Sequence, residues 1–454
     1  MTRLKKMTQW FTVILLSVLF MPVMATAATP LTFWTTEVTA DRQAVIKYLA
    51  DVFMILNPDV EVRVVGIEEN SIVDALTQAQ KNGVGPEIVS CASDLLISFS
   101  ECGWVNNQGT ERCISTIGRD RFYSGTLDRL RLADGRYGGI PFNGWIQGIW
   151  YRKDWFNERG LKPPTSWNNI IKAAKEFHAP EAGRYGILIG TQADAYAEQV
   201  FTHLALSAGV QEFTPTGKVI FDTPEAVRTL KFYIDLAQYS PPGPQTWRGR
   251  DFYFQGKLAM MFYSTFIMDD LAIPYIAADS LTGNHFEELS ATPYDHQLLK
   301  HTGFVSSITG TQKTSYGVIN ALGLLRTDKG AQEKAAERFV QFLFTKDAYI
   351  SWLHMVPGGM MPTLRDIASQ DTFFRDQQGV FQRYSRQRIQ SILSGFDSLK
   401  SFSFVNGRLM PKAAQVSAKG LLAKMIKTAL QGKKTPEEAI SQTAEAMRTI
   451  DSDL

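Results

Sequence analysis

Short apolar runs of strand character alternate along this chain with stretches of helical spacing. Pro30 to Thr35, then Val60, Val62, Val64 and Ile67, then Glu87 to Cys91 read as strands. Between the first two, Val45, Leu49, Val52, Phe53 and Leu56 share one helical face that opens at Thr39 and ends at Asn57-Pro58. Ser71 to Asn82 and Asp94 to Cys102 read as further helices. Such alternation predicts parallel βαβ units, whose ligands sit outside the carboxyl ends of the strands. Two loops answer that description: Trp34-Thr35-Thr36-Glu37 after the first strand, and Ala92-Ser93-Asp94 after the third. A carboxylate such as Asp94 can accept from two neighbouring hydroxyls, and Asp is also a good helix N-cap; both roles stay open.

A different pattern fills Arg136 to Trp167. An apolar run is broken by Gly139, Pro141, Gly144 and Gly148, as expected of a strand that bends while its backbone passes close to something else. It reads as a strand crossing between two bodies, which puts Asn143 and Trp145 at the floor of a cleft. Lys153 to Arg159 is a short amphipathic turn, broken at Gly160 and Pro163-Pro164. Ser166 then caps a helix bearing Trp167, Ile170, Ile171, Ala174 and Phe177. Tyr185 to Gly190 and Lys218 to Phe221 read as strands. Gln192 and Asp194, in the loop between them, suit either a sugar contact or an ordinary solvent loop. Thr223-Pro224-Glu225 and Thr435-Pro436-Glu437-Glu438 open helices, the second with a capping box. Tyr316 to Leu325 is a further strand.

Pro141-Phe142-Asn143, Gly148 and Ile149-Trp150-Tyr151, followed by Pro163-Pro164-Thr165-Ser166-Trp167, resemble the signature of the family 1 extracellular solute-binding proteins, capture subunits of sugar-type ABC importers. Arg152 departs from it, standing where Asn or Asp is typical. Phe254-Gln255-Gly256-Lys257-Leu258-Ala259-Met260-Met261 resembles the family's helix end and buried strand. That resemblance places Phe266 as an aromatic at the cleft, with ordinary core as its alternative. Gly358-Gly359-Met360-Met361-Pro362 resembles the family's Gly-x-x-Pro turn facing the cleft, which brings in Gly359 and Met360. Similarity to the maltodextrin-binding branch puts Thr36 and Asp94 at sugar hydroxyls. It also puts Gly420 where that branch has a stacking Trp, which weakens the case for a linear maltodextrin.

The resemblance implies an α/β, two-lobed periplasmic binding protein fold of type II with three hinge crossings, near Asn143 to Trp145, Glu288 and Phe344 to Ser351. The expected division is a signal peptide at 1–27, a first lobe of 28–143 plus 288–348, and a second of 144–287 plus 349–454. It further implies a carbohydrate ligand of mono- or disaccharide size, transmembrane permease subunits as partners, a monomer, no cofactor and no chemistry performed.

Composition narrows this picture. The chain has 454 residues with 44% hydrophobic content, enough for two cores. Lys plus Arg number 47 against 45 Asp plus Glu, so no net field argues for nucleic acid. Arg3, Lys5 and Lys6, the apolar run Trp10 to Phe20 and Ala25-Thr26-Ala27 before Ala28 read as a cleavable secretory leader, hence a periplasmic protein. Cys91, Cys102 and Cys113 allow one disulfide, Cys102 with Cys113 preferred, or simple burial. Trp247, Arg248 and Arg250 cluster cations with an aromatic, either for a ligand or as a solvated face. With Arg152 they raise the alternative of an anionic sugar or polyol derivative: a sugar phosphate, a uronate or glycerol phosphate. A secreted glycoside hydrolase using Glu37 and Asp94 is the enzyme alternative. No zinc, nucleophile-elbow or phosphate-loop motif occurs.

Overall fold

A computed structural model describes residues 27–450, apart from 282, 284, 406 and 407. The leader expected over 1–27 therefore lies, Ala27 aside, outside the described residues.

Three strands, β1 (Thr29–Thr35), β2 (Val60–Gly66) and β3 (Ile88–Ala92), run parallel in the order β2-β1-β3 and are joined by helices Ala40–Leu56 and Ile72–Lys81. β4 (Ile140–Arg152) and β8 (Lys313–Leu324) are longer and antiparallel to each other, with a register shift between Pro141 and Asn143. The end of β8 pairs with β3, from Ala321 opposite Cys91 to Leu324 opposite Ile88. The end of β4 pairs with β5 (Met260–Ser264) on one side and β6 (Thr302–Val305) on the other. A short strand β7 (Ile308–Thr309) leads into β8, and β9 (Met361–Pro362) pairs with Gly144 and Asn143. The molecule is thus two α/β lobes joined at a waist where β8, β4 and β9 lie side by side.

Each lobe has its own aromatic interior. In the first, Phe33 lies 5.7 Å from Phe339 and 6.3 Å from Trp352, whose ring is 4.9 Å from Phe142. In the second, Phe156 packs on Phe177 at 5.2 Å and Trp167 stacks on Phe232 at 4.3 Å. Each fully buried ring among these contributes about 1.5–3 kcal/mol. Helix starts follow the sequence chemistry: Ser166 accepts from Asn169 N, Thr223 from Ala226 N, and Thr435 forms a complete capping box with Glu438.

Four expectations need correction. The return to the first lobe is not at Glu288. Lys257 Nζ donates to Glu288 O at 2.8 Å and β6 pairs with residues 149–152, so 287–305 stay with the second lobe and β8 makes the crossing. Nor does the chain leave the first lobe at 344–351, because Tyr349 and Trp352 both pack on Phe142 there. From Met355 to Val405 it runs along the seam instead. Gly358 lies against Thr265 O, Arg121 pairs with Asp366 at 2.9 Å, and Arg388 reaches Leu299 O at 3.3 Å. Tyr185 to Gly190 and Lys218 to Phe221 make only isolated bridges, at Tyr185, Leu188 and Val219. Finally, all three cysteines are free. Cys113 is buried against the helix Gly330–Leu343, where its Sγ meets Glu337 O, while Cys102 is exposed at the end of the helix Ser93–Glu101.

Candidate functional site

Successive strand residues point to opposite faces, so Asn143, Trp145 and Gln147 share one face of β4. Their register partners on β8 are Asn320, Val318 and Tyr316. These six residues cross the waist from one lobe to the other. Trp145 meets Tyr316 edge-on at 6.2 Å and Phe266 at 6.5 Å. Gln147 is buried and its Nε2 donates to Gln199 O at 3.1 Å. Asn143 is 2% exposed and its Oδ1 has no partner among the described residues. The floor of the cleft is therefore aromatic in the middle and amide at both ends.

The second-lobe wall carries a cavity of about 280 Å³ lined by Gln147, Gln199, Trp247, Tyr263 and Phe266. Trp247 is 41% exposed and Phe266 42%, although both are large rings that burial would favour. Gly359 sits behind Phe266 so closely that a Cβ there would lie 2.3 Å from the ring as placed; Met360 beside it is buried. Arg248 and Arg250 flank the Trp247 ring at 4.6 and 5.1 Å. Arg250 pairs with Asp270 at 3.0 Å and donates to Tyr263 OH at 3.3 Å, while Arg248 meets His285. Burial outweighs Arg250 and pushes the Asp270 carboxyl up to about 6.

On the first-lobe wall, β1 and β3 end together, with Thr36 N donating to Ser90 O at 3.3 Å. Trp34 is half-buried against the first-lobe core. Glu37 is buried and paired with Arg42 at 2.7 Å. Asp94 is not an N-cap. It lies within the first turn of the helix Ser93–Glu101, where Arg129 Nη2 and Ser403 Oγ donate to its carboxylate at 2.7 and 2.6 Å.

The structure thus gathers Asn143, Trp145, Phe266 and Gly359 at one place, with Arg248 at its edge. Gln192 and Asp194 each have a partner within the fold. Gln192 Oε1 accepts from Lys427 Nζ at 3.2 Å, and Asp194 caps the helix Ala195–Ser207 by accepting from Ala197 N at 2.9 Å. Arg152 is buried, stacked on Trp155 at 4.7 Å and paired with Asp154 at 2.6 Å. Sequence reasoning does not single out Gln199, which lines the cavity, or Arg129 and Ser403, which hold Asp94. Glu198 and Gln199 lie in the first turns of the helix that Asp194 caps, four and five residues on, a signal that was available. Burial raises the pKa of Glu198, and Ser417 donates to its carboxylate. Among the described residues no group of three or more His, Cys, Asp or Glu side chains is placed to hold a metal ion, and no helix is long and apolar enough to cross a membrane.

Residues 36–350 match the model of the bacterial extracellular solute-binding protein family. The chain is 27% identical over 405 residues to a putative ABC transporter periplasmic-binding protein, YcjN, of Escherichia coli K12, covering 88% of each. It is 27% identical over 234 residues to a mannitol-binding protein of Pseudomonas aeruginosa, covering 50% of this chain and 52% of that one. The cyclic alpha-maltosyl-1,6-maltose binding protein of Arthrobacter globiformis superposes over 93% of this chain and 98% of its own, with a TM-score of 0.68 at 16% identity. That two-lobed architecture, together with a family match over most of the chain, settles the classification: the protein belongs to the bacterial extracellular solute-binding proteins.

Proposed function

We propose that this protein captures a small neutral carbohydrate or polyol, of mono- or disaccharide size, between its lobes in the periplasm. It works as a monomer and delivers that molecule unchanged to the permease subunits of an ABC importer. The observation that carries the reading is the set of exposed rings, Trp247 and Phe266 with Trp145 beside them, set among the amides Gln147 and Gln199. Sugar rings and alditol chains present apolar CH faces that lie on flat rings, while their hydroxyls need donors and acceptors at the edge. The mannitol and maltosyl-maltose ligands in the names of two relatives agree with this chemistry. The leader-like N-terminus agrees with the periplasm.

The arginines that raised the anionic alternative do not converge on one place. Arg152 is buried with Asp154 and Arg250 is paired with Asp270, which leaves Arg248 at the rim. The hydrolase alternative fares no better, since Glu37 and Asp94 are each tied to an arginine. A thermal-shift panel of neutral sugars and alditols against sugar phosphates and uronates tests the reading. A ligand that binds only the folded form raises the melting point. The expected result is a shift with a neutral compound that is recovered intact. Shifts confined to the acids, or recovery of a cleavage product, would overturn it.

A further inference from the structure

Asp94 is engaged from both sides by groups distant in sequence. Arg129 Nη2 donates to its Oδ1 at 2.7 Å, with Ser93 Oγ at 3.2 Å on the same oxygen, and Ser403 Oγ donates to Oδ2 at 2.6 Å. Arg129 is only 6% exposed, yet its Nε and Nη1 have no acceptor among the described residues. A guanidinium buried merely to hold a carboxylate would present two prongs of its fork, and leaving buried donors unmet is costly. Phe404, next to Ser403, lies over that guanidinium with its ring 5.7 Å away. The Asp94 side chain is 38% exposed and lies just past the end of β3, where Ala92 pairs with Asn320 of the β8 floor, so the pair borders the cleft.

A hydroxyl on a carboxylate and a flat apolar face over a cation are also what a polyol or sugar presents. We propose that Asp94 and Arg129 form the first-lobe half of the recognition site, and that Ser403 and Phe404 occupy it as an internal stand-in which a hydroxylated ligand displaces. The inference rests on the carbohydrate or polyol reading above. In the exchange, a ligand hydroxyl takes the place of Ser403 Oγ on Oδ2, and ligand oxygens meet Arg129 Nε and Nη1. Only the fraction of molecules whose half-site is vacated binds, so the stand-in lowers the apparent affinity.

Two measurements on the full mature chain test this, with Ser403→Ala, Phe404→Leu and the hydroxyl-retaining Ser403→Thr. The first needs no ligand: hydrogen exchange at residues 401–405. These amides are expected to open locally, ahead of β4 and β8, and about tenfold faster in Ser403→Ala, the effect of one hydrogen bond to a charged group. Exchange of 401–405 only through global unfolding, in the wild type and both weakened variants, overturns the proposal. The second is calorimetric titration with mannitol and with maltose. The probe that binds the wild type should bind Ser403→Ala and Phe404→Leu about tenfold more tightly and Ser403→Thr equally well. It should also deprotect 401–405. Unchanged or weaker binding by Ser403→Ala overturns the proposal, since Ser403 is then a bystander or a ligand contact. If neither probe binds any variant, the carbohydrate reading suffers, and the exchange result alone decides whether Ser403 leaves Asp94.

Discussion

The fold leaves Trp247 and Phe266 in water at 41% and 42% exposure, beside a cavity whose wall includes the buried Gln147 and Tyr196. Replacing either by Ala should weaken ligand binding by about tenfold or more while moving the melting point little, because an exposed ring contributes little to folding. Calorimetry and thermal unfolding of the same variants separate the two effects; a large stability loss at constant affinity would make these rings structural. His203 acts in the opposite sense. It is buried beneath Tyr316, its Nε2–H donates to Thr314 O at 3.2 Å, and burial holds its pKa down to about 4. The unfolded chain protonates it near its ordinary value of about 6.5. Between those values the unfolded state holds more protons, so stability is lost as pH falls from about 6.5 toward 4. For this one group the loss is about 2–3 kcal/mol by about pH 4.5. Urea unfolding at both ends of that window should show a smaller decline for His203→Gln; equal declines would mean that His203 is protonated in the folded state. At this scale the sequence was only partly informative. Trp145 and Phe266 could be placed because local pattern and motif order mark them. The partners of Asp94 could not, since Ser403 is 309 residues away and nothing near it signals the contact.

Among the elements, β4 and β8 organise the rest, and glycines let them approach. A Cβ at Gly144 would lie 2.4 Å from Val318 O and one at Gly317 2.2 Å from Trp145 O, so the two backbones touch where the lobes meet. Gly317→Ala should cost about 1–3 kcal/mol of stability, by the usual penalty for overfilling a close contact. Denaturant unfolding would measure it, and a neutral result would show that the waist gives way freely. The glycine-broken run from Gly139 to Gly148 was legible as a crossing strand for this physical reason. The second crossing was not legible, because β8 changes lobe halfway along an apolar run with no break at that point, while the polar residues around Glu288 look like a boundary. The βαβ units were legible from their period. Tyr185 to Gly190 was not, since its apolar pattern is met by core packing and two isolated bridges rather than by a ladder.

The whole molecule is two lobes on a waist of three strands, β8, β4 and β9, with the aromatic floor lying across it. On the proposed capture reading, the waist bends while the lobes stay rigid, and a ligand touching both walls shifts the population toward the closed form. Small-angle scattering should therefore show a smaller radius of gyration with a bound sugar or polyol than without. A saturated protein of unchanged radius would argue against closure. The most direct test of the central claim is calorimetric titration of the mature protein with neutral sugars and alditols, in parallel with Trp145→Ala, followed by mass analysis of the compound recovered. Expected are saturable one-to-one binding of a neutral compound, its marked weakening in Trp145→Ala, and recovery of that compound intact. Equal binding by Trp145→Ala, or release of a product, would contradict the claim.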